Sequence, residues 1–333
     1  MFHIRHKKSI SSIYFMKDFY TELIMKKRLL TVFIILLFLI MLCLPKQVLN
    51  GATEGLLLWF QIVLPTLLPF MIITNLLIST NAVSYISRFL SPILRPLFGI
   101  SGAGCFCVLA GFLCGYPMGA KVTGDLVTTG QISRAEGKYL LSFCNNTSPM
   151  FIISYIIIQN LHSDFLAFAS ICILFVSAII GSFIFRQIYR RQMQQEAAHT
   201  FSSASVGFQF RMLDSSIMNS FEAMVKVGGY IILFSILLEL LQNLHFDSFL
   251  WNIGFLPMIE ITNGVPALCS VDVSFPVRYA LVMFLAAFGG LCSIAQTQCM
   301  VQDADIPILP YIIEKLVIAG ITSLIAYIYT CIT

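Results

Sequence analysis

Ala110-Gly-Phe-Leu-Cys-Gly-Tyr-Pro-Met-Gly-Ala-Lys121 and, further on, Phe143-Cys-Asn-Asn-Thr-Ser-Pro-Met-Phe151 decide the reading of this chain. Both stretches sit among apolar runs of membrane length, yet both carry residues that a lipid-facing helix does not choose. Gly115 and Gly119 permit unusual backbone angles, while Pro117 and Pro149 each remove a backbone donor. An opened backbone at membrane depth survives only where protein or a water-filled cavity supplies partners. The two breaks therefore predict a polar binding site inside a membrane fold.

Composition agrees. Apolar residues make up 58% of the 333, charged residues 11%, and the mean hydropathy is +0.88. A soluble domain carries about 25% charged residues, so the predicted class is an all-α polytopic membrane protein. At about 20 residues per crossing there is room for about 8–10 membrane segments, re-entrant or broken helices included. The net charge of +4 says little about partners, and no basic stripe interleaved with aromatics suggests nucleic acid. The ten cysteines lie in or beside apolar segments. Cys105 and Cys107 form a C-x-C without a second pair or histidine at zinc spacing, so neither a metal site nor a disulfide is expected. The sequence holds none of the Walker, dinucleotide, zinc-protease or serine-hydrolase motifs, and its histidines are scattered through tails and loops. No enzyme and no cofactor are expected; transport would be passive or driven by a gradient.

Along the chain, residues 1–24 are polar and basic, and Met25-Lys-Lys-Arg reads as a start of its own. Residues 25–200 form a first membrane half and 201–333 a second. Leu29–Leu44 reads as an uncleaved anchor with a cytoplasmic N-terminal side. Gly55–Ser79 is a span kinked by Pro65 and Pro69. Val83–Leu97, carrying Arg88 and Arg95, is expected along the interface, and Ile100–Ala120 as a re-entrant hairpin or broken span. Ser133 and Glu136 have the spacing of a capping box. Tyr139–Ile158 and Phe165–Phe185 are two spans, and Lys121, Arg134, Lys138, Arg186, Arg190 and Arg191 all fall on the cytoplasmic side. Phe221–Leu241, Phe249–Ser270, Val277–Cys299 and Ile308–Ile332 follow. The second half resembles the first: Trp59-Phe-Gln-Ile-Val-Leu-Pro has a counterpart at Phe221, and Gly111-Phe-Leu-Cys-Gly one at Gly290-Leu-Cys-Ser. Interrupted segments at matching places in two inverted halves point to a transporter's midplane site.

The candidate site residues come from these breaks. Gly115, Pro117 and Gly119 could expose an amide nest suited to an anion, Tyr116 could stack on a flat ring, and Lys121 could pair with a carboxylate. The same small residues also suit a tight helix crossing; glycine, tyrosine, proline and lysine together favour a site. Asn145, Asn146 and Ser148 either contact a polar solute or cap the following helix, and the two roles are compatible. Glu260, bracketed by apolar residues before Asn263-Gly264, is an ionisable group at membrane depth. It is assigned to a coupling cation or proton, with interfacial placement as the alternative. Asn263 and Gln296 complete the set of polar contacts.

These motifs, with Ile132-Ser-Arg-Ala-Glu136, Glu260-Ile-Thr-Asn-Gly264 and Phe288-Gly-Gly-Leu-Cys292, resemble the YlbJ-type sporulation integral membrane proteins. That family carries the nucleoside-recognition, or Gate, domain. The resemblance runs from about Met25 to the C-terminus. It implies a role in endospore formation, in the mother-cell-derived membrane around the forespore, moving dipicolinic acid toward the spore. Dipicolinate is a flat pyridine with two carboxylates, which suits the aromatic and amide groups above; Glu260 would repel it. The partners implied are the lipid bilayer, a small organic anion and a coupling cation. A nucleoside or nucleobase carrier and a non-transporting scaffold of a sporulation complex are the alternative functions.

Overall fold

Hydrophobic stretches of this length bury their backbone polar groups by coiling, and helix is the outcome throughout. The computed structural model describes residues 25, 27–80, 82–196, 209–243 and 250–332, and no strand occurs among them. The expected extension at 1–24 lies outside the described residues. Residues 27–43 form an apolar helix.

The next apolar stretch is a single 35-residue rod, Pro45–Ser79. Its parts are α1 (Pro45–Leu58), a wide π-helical turn (Trp59–Val63) and α2 (Leu64–Ser79). Pro65 falls in the first turn of α2, directly after that wide turn, and Pro69 inside α2. Thr66 donates its hydroxyl to the Ile62 carbonyl at 2.6 Å. α3 (Val83–Phe98) and α4 (Gly102–Cys114) meet at 89° across the left-handed Gly99, so they cannot cross as one straight span. α5 (Met118–Thr128) turns back on α4, giving a broken hairpin.

α6 (Arg134–Cys144) ends where Asn145–Ser148 leave the helix, and a π-helical segment (Phe151–Leu161) follows. Tyr139–Ile158 is thus an interrupted element and not the continuous span expected, because Pro149 and the asparagines break its ladder. α7 (Leu166–Glu196) runs well past Phe185, carrying Arg186, Arg190 and Arg191 on the helix itself. In the second half α8 (Phe210–Gln242) is long and unbroken. α9 (Ile261–Cys269) begins only at Glu260, so the stretch expected as one span is split there. α10 (Phe275–Phe288) and α11 (Gly290–Val301) are divided by Gly289, and α12 (Ile308–Ile332) closes the chain. Among the described residues, five helices are long and apolar enough to cross a membrane, and a sixth if the α3–α4 pair counts as one span.

The capping box forms by half. Ser133 Oγ accepts the Glu136 amide at 3.1 Å, but the Glu136 carboxylate reaches away to the Ser101 amide at 2.5 Å. It therefore holds the start of α4 and not its own cap, tying two helix N-termini together, where orphan amides favour a carboxylate.

Candidate functional site at the converging helix breaks

Glycine lets the first two breaks touch. A Cβ on Gly111 would fall 1.9 Å from the Cys144 carbonyl oxygen, and one on Gly119 2.7 Å from the same atom. At Gly115, whose φ is +80°, it would meet the Ser148 amide at 2.5 Å. No side chain fits in these gaps. Across them the Tyr116 amide donates to the Asn146 carbonyl at 2.6 Å and the Ala120 amide to Asn145 Oδ1 at 3.2 Å.

The second-half breaks meet in the same manner. Gly289 and Gly290 both have positive φ, and the Cys292 amide donates to the Ile259 carbonyl at 3.0 Å, beside Glu260. The two pairs then join. The Tyr116 ring lies against Gly289. Thr147 donates its hydroxyl to the Ala286 carbonyl, and the Tyr155 hydroxyl donates to the Thr262 carbonyl. Four interruptions distant in sequence form one centre.

A cavity of about 590 Å³ opens at that centre. Tyr116, Pro117, Ser148, Glu260 and Gln296, all expected from the sequence, line it, with Tyr155 and Phe151 as stacked aromatic wall. Glu260 is 3% exposed. It caps α9: Oε2 accepts the Asn263 amide at 3.1 Å, the Asn263 side-chain amide at 3.3 Å and the Thr262 hydroxyl. No lysine or arginine lines the cavity. A buried carboxylate without a cationic partner is expensive in this setting unless a proton or cation joins it.

Other expected residues lie elsewhere. Lys121 does not line this cavity; it grips Asp125 at 2.5 and 2.6 Å, one turn along α5, and borders a separate one. The amide nest is already filled from within: the Met118 and Gly119 amides bond to the Gly115 carbonyl, as Tyr116 and Ala120 do to the Asn145–Asn146 segment. Ser148 performs the capping, accepting the Phe151 amide at 3.2 Å. Asn263 serves Glu260 and borders another small cavity.

Asn145 and Asn146 are fully buried behind the cavity wall. Asn145 donates to the Thr297 hydroxyl at 2.8 Å and the Tyr311 hydroxyl at 2.9 Å, so both its amide hydrogens are used within the protein. Asn146 donates to the Phe143 carbonyl at 2.6 Å.

The residue that sequence reasoning missed is Lys315. It is 1% exposed and donates to the Asn145 carbonyl at 2.9 Å and to Asn146 Oδ1 at 3.2 Å, with no carboxylate partner among the described residues. Its ammonium therefore sits at the C-terminal end of α6, where unpaired carbonyls favour a cation. Its neighbour Glu314 turns to the Tyr189 hydroxyl at 2.6 Å. The available signal was an adjacent acid and base inside the apolar run Ile308–Ile332, where ionisable residues are rare and functional.

Comparison with known proteins places this architecture. Residues 60–186 match the family model described as Gate, nucleoside recognition. The chain is also 30% identical over 310 residues to the sporulation integral membrane protein YlbJ of Bacillus subtilis (strain 168). That similarity covers 82% of this chain and 75% of the relative. No solved structure matches. Apolar helices, converging breaks and this relative agree: the chain belongs to the YlbJ family of sporulation integral membrane proteins.

Proposed function

We propose that the protein is a carrier, not an enzyme, which moves a small aromatic organic anion across the outer, mother-cell-derived forespore membrane, dipicolinate being the first choice. The observation that supports it is the meeting of four helix breaks around one cavity holding a buried, cation-free carboxylate. Broken helices at a shared centre are the arrangement by which transporters build midplane sites. Tyr116, Phe151 and Tyr155 offer ring faces to a flat solute, while Ser148 and Gln296 offer polar contacts. Glu260 takes up the coupling proton or cation, and its neutralisation lets a carboxylate-bearing solute share the cavity. The inverted relation of the two halves belongs to the same proposal, since breaks from each half supply two of the four walls.

A second reading is a nucleoside or nucleobase carrier. The matched family description and the lack of a lysine or arginine lining the cavity favour it. Uptake into proteoliposomes separates the readings. Accumulation of labelled dipicolinate, lost in Glu260→Gln, supports the first. Uptake of uridine without dipicolinate replaces it with the second, and movement of neither leaves a membrane scaffold.

A further inference from the structure

A second polar cavity, of about 260 Å³, has no part in the site above. Lys121, Asp125, Asn219, Glu222, Lys226 and Asp303 border it. Its walls come from α5, α8, α11 and the turn after α11; α8 and α11 also line the main cavity, as does Pro117, the cap of α5, and the register on each is telling. On α11, Gly289, Cys292, Ser293 and Gln296 line the main cavity, and Cys299 and Met300 on the next turn line the charged one. From Pro117, the cap of α5, the same succession reaches Lys121 one turn on, and on α8 it runs from Ile231 back two turns to Ala223. Steps of three or four residues, or of eight, keep one helix face. The cavities thus lie in line along these helices, roughly 5–6 Å apart on α5 and α11 at 1.5 Å per residue.

The intervening turn is packed shut: Met118, Ala120, Val227 and Thr297 are all fully buried. One side chain crosses it. Asn145 accepts from the Ala120 amide of α5 and donates to Thr297 of α11. Beyond the charged cavity, Arg134 pairs with Asp305 at 2.7 Å, which puts this cavity at the arginine-bearing end. Its Glu222–Lys226 pair is 67% and 51% exposed, as befits a water-facing lining.

We propose that the charged cavity is the second mouth of the permeation path and that the layer pinned by Asn145 is the barrier separating it from the main cavity. Lys121 and Lys226 are each paired inside the mouth, with Asp125 and Glu222, and Asp303 adds a third carboxylate, so the lining is polar and water-filled and the two lysines are the groups that a passing carboxylate can exchange onto. Asn145 is then a positioning residue of the barrier and not a solute contact. This rests on the carrier reading, but no solute enters its test.

Native cysteines serve as reporters: Cys114 lines the main cavity, Cys299 the charged one, and Cys107 is fully buried. A full-length chain keeping these three, the others replaced by alanine, is treated with a membrane-impermeant thiol reagent from the arginine-bearing face. Cys299 should react, Cys114 at least tenfold more slowly, and Cys107 not at all. Thr297→Val and Tyr311→Phe, each removing one acceptor of Asn145, should raise the Cys114 rate at least fivefold with Cys107 still silent; one variant suffices. The proposal is overturned if Cys299 is refractory, if Cys114 matches it in the unsubstituted chain, or if neither variant moves Cys114. Reaction of Cys107 in both variants also overturns it, since Asn145 would then be a pin for the whole bundle. A chain that passes but takes up no dipicolinate keeps its path and loses only its solute.

Discussion

The Lys315 ammonium reaches across the bundle to the main-chain carbonyl of Asn145, 2.9 Å away, and holds an interrupted helix end with a buried positive charge. Burial alone argues that such a charge destabilises. Removing it, however, strands the Asn145 carbonyl and Asn146 Oδ1. An unsatisfied buried acceptor costs about 1–3 kcal/mol, so Lys315→Met should lower stability by about 2 kcal/mol. Thermal unfolding in detergent reads this out; an unchanged or higher midpoint would mean that desolvation of the ammonium outweighs its bonds.

The close approach of the first two breaks makes a steric prediction. Gly111→Ala places a methyl inside the Cys144 carbonyl, and the backbone has to move. Overpacking of this kind costs about 1–3 kcal/mol or more, and the yield of folded protein should fall steeply. Gly229 and Gly320, with nothing within 4 Å, are the controls. Alanine there should be neutral or add up to about 1 kcal/mol through helix propensity. Equal behaviour at all three positions would remove the packing argument.

Glu136 and Ser133 should separate in their effects. Ser133→Ala removes an ordinary N-cap, worth about 1 kcal/mol. Glu136→Ala removes the carboxylate from the Ser101 amide and so loosens α4 from α6, a charge-assisted bond worth about 1.5–3 kcal/mol. The glutamate variant should therefore have the lower melting temperature. A capping box formed in full would give the two variants similar losses.

Transport kinetics should divide Gln296 from Lys121. Gln296→Leu takes a polar contact from the main cavity and should raise KM for the transported solute about tenfold, equivalent to about 1.4 kcal/mol. Lys121→Met acts on the second cavity and should lower the maximal rate, leaving KM within about twofold of the parent, as expected for a residue outside the binding centre. A KM effect at Lys121 matching that at Gln296 would return the lysine to the central site.

Much of this was legible because lipid punishes irregular backbone. The breaks at Gly115–Pro117 and Asn145–Pro149 announce themselves in any apolar run, and Glu260 does so by its charge. What pairs with what was hidden. Lys121 looks like a counter-ion for a solute, but Asp125, four residues on, is the neighbour that helix geometry provides. The glycine amides look free in sequence, and only the meeting of two distant loops fills them. Lys315 lies midway between Pro310 and Gly320 of α12, and nothing in the sequence names its partner, so its bearing on Asn145 needed three dimensions. The capping pattern at Ser133 identified the right helix start but not Ser101, the amide that Glu136 serves.

The Lys315–Asn145 bond also sets an order of events during synthesis. The partners are 170 residues apart, and the Gate match ends at residue 186, long before Lys315. At roughly 5–20 residues per second, the interrupted end of α6 waits about 10–30 s on the ribosome for its cation. Through that interval the Asn145 carbonyl must borrow a partner from water, lipid headgroups or the insertion machinery. The segment that a family model recognises as a unit is therefore not one the cell can finish alone, and a truncation after α7 should be handed to membrane proteases rather than accumulate.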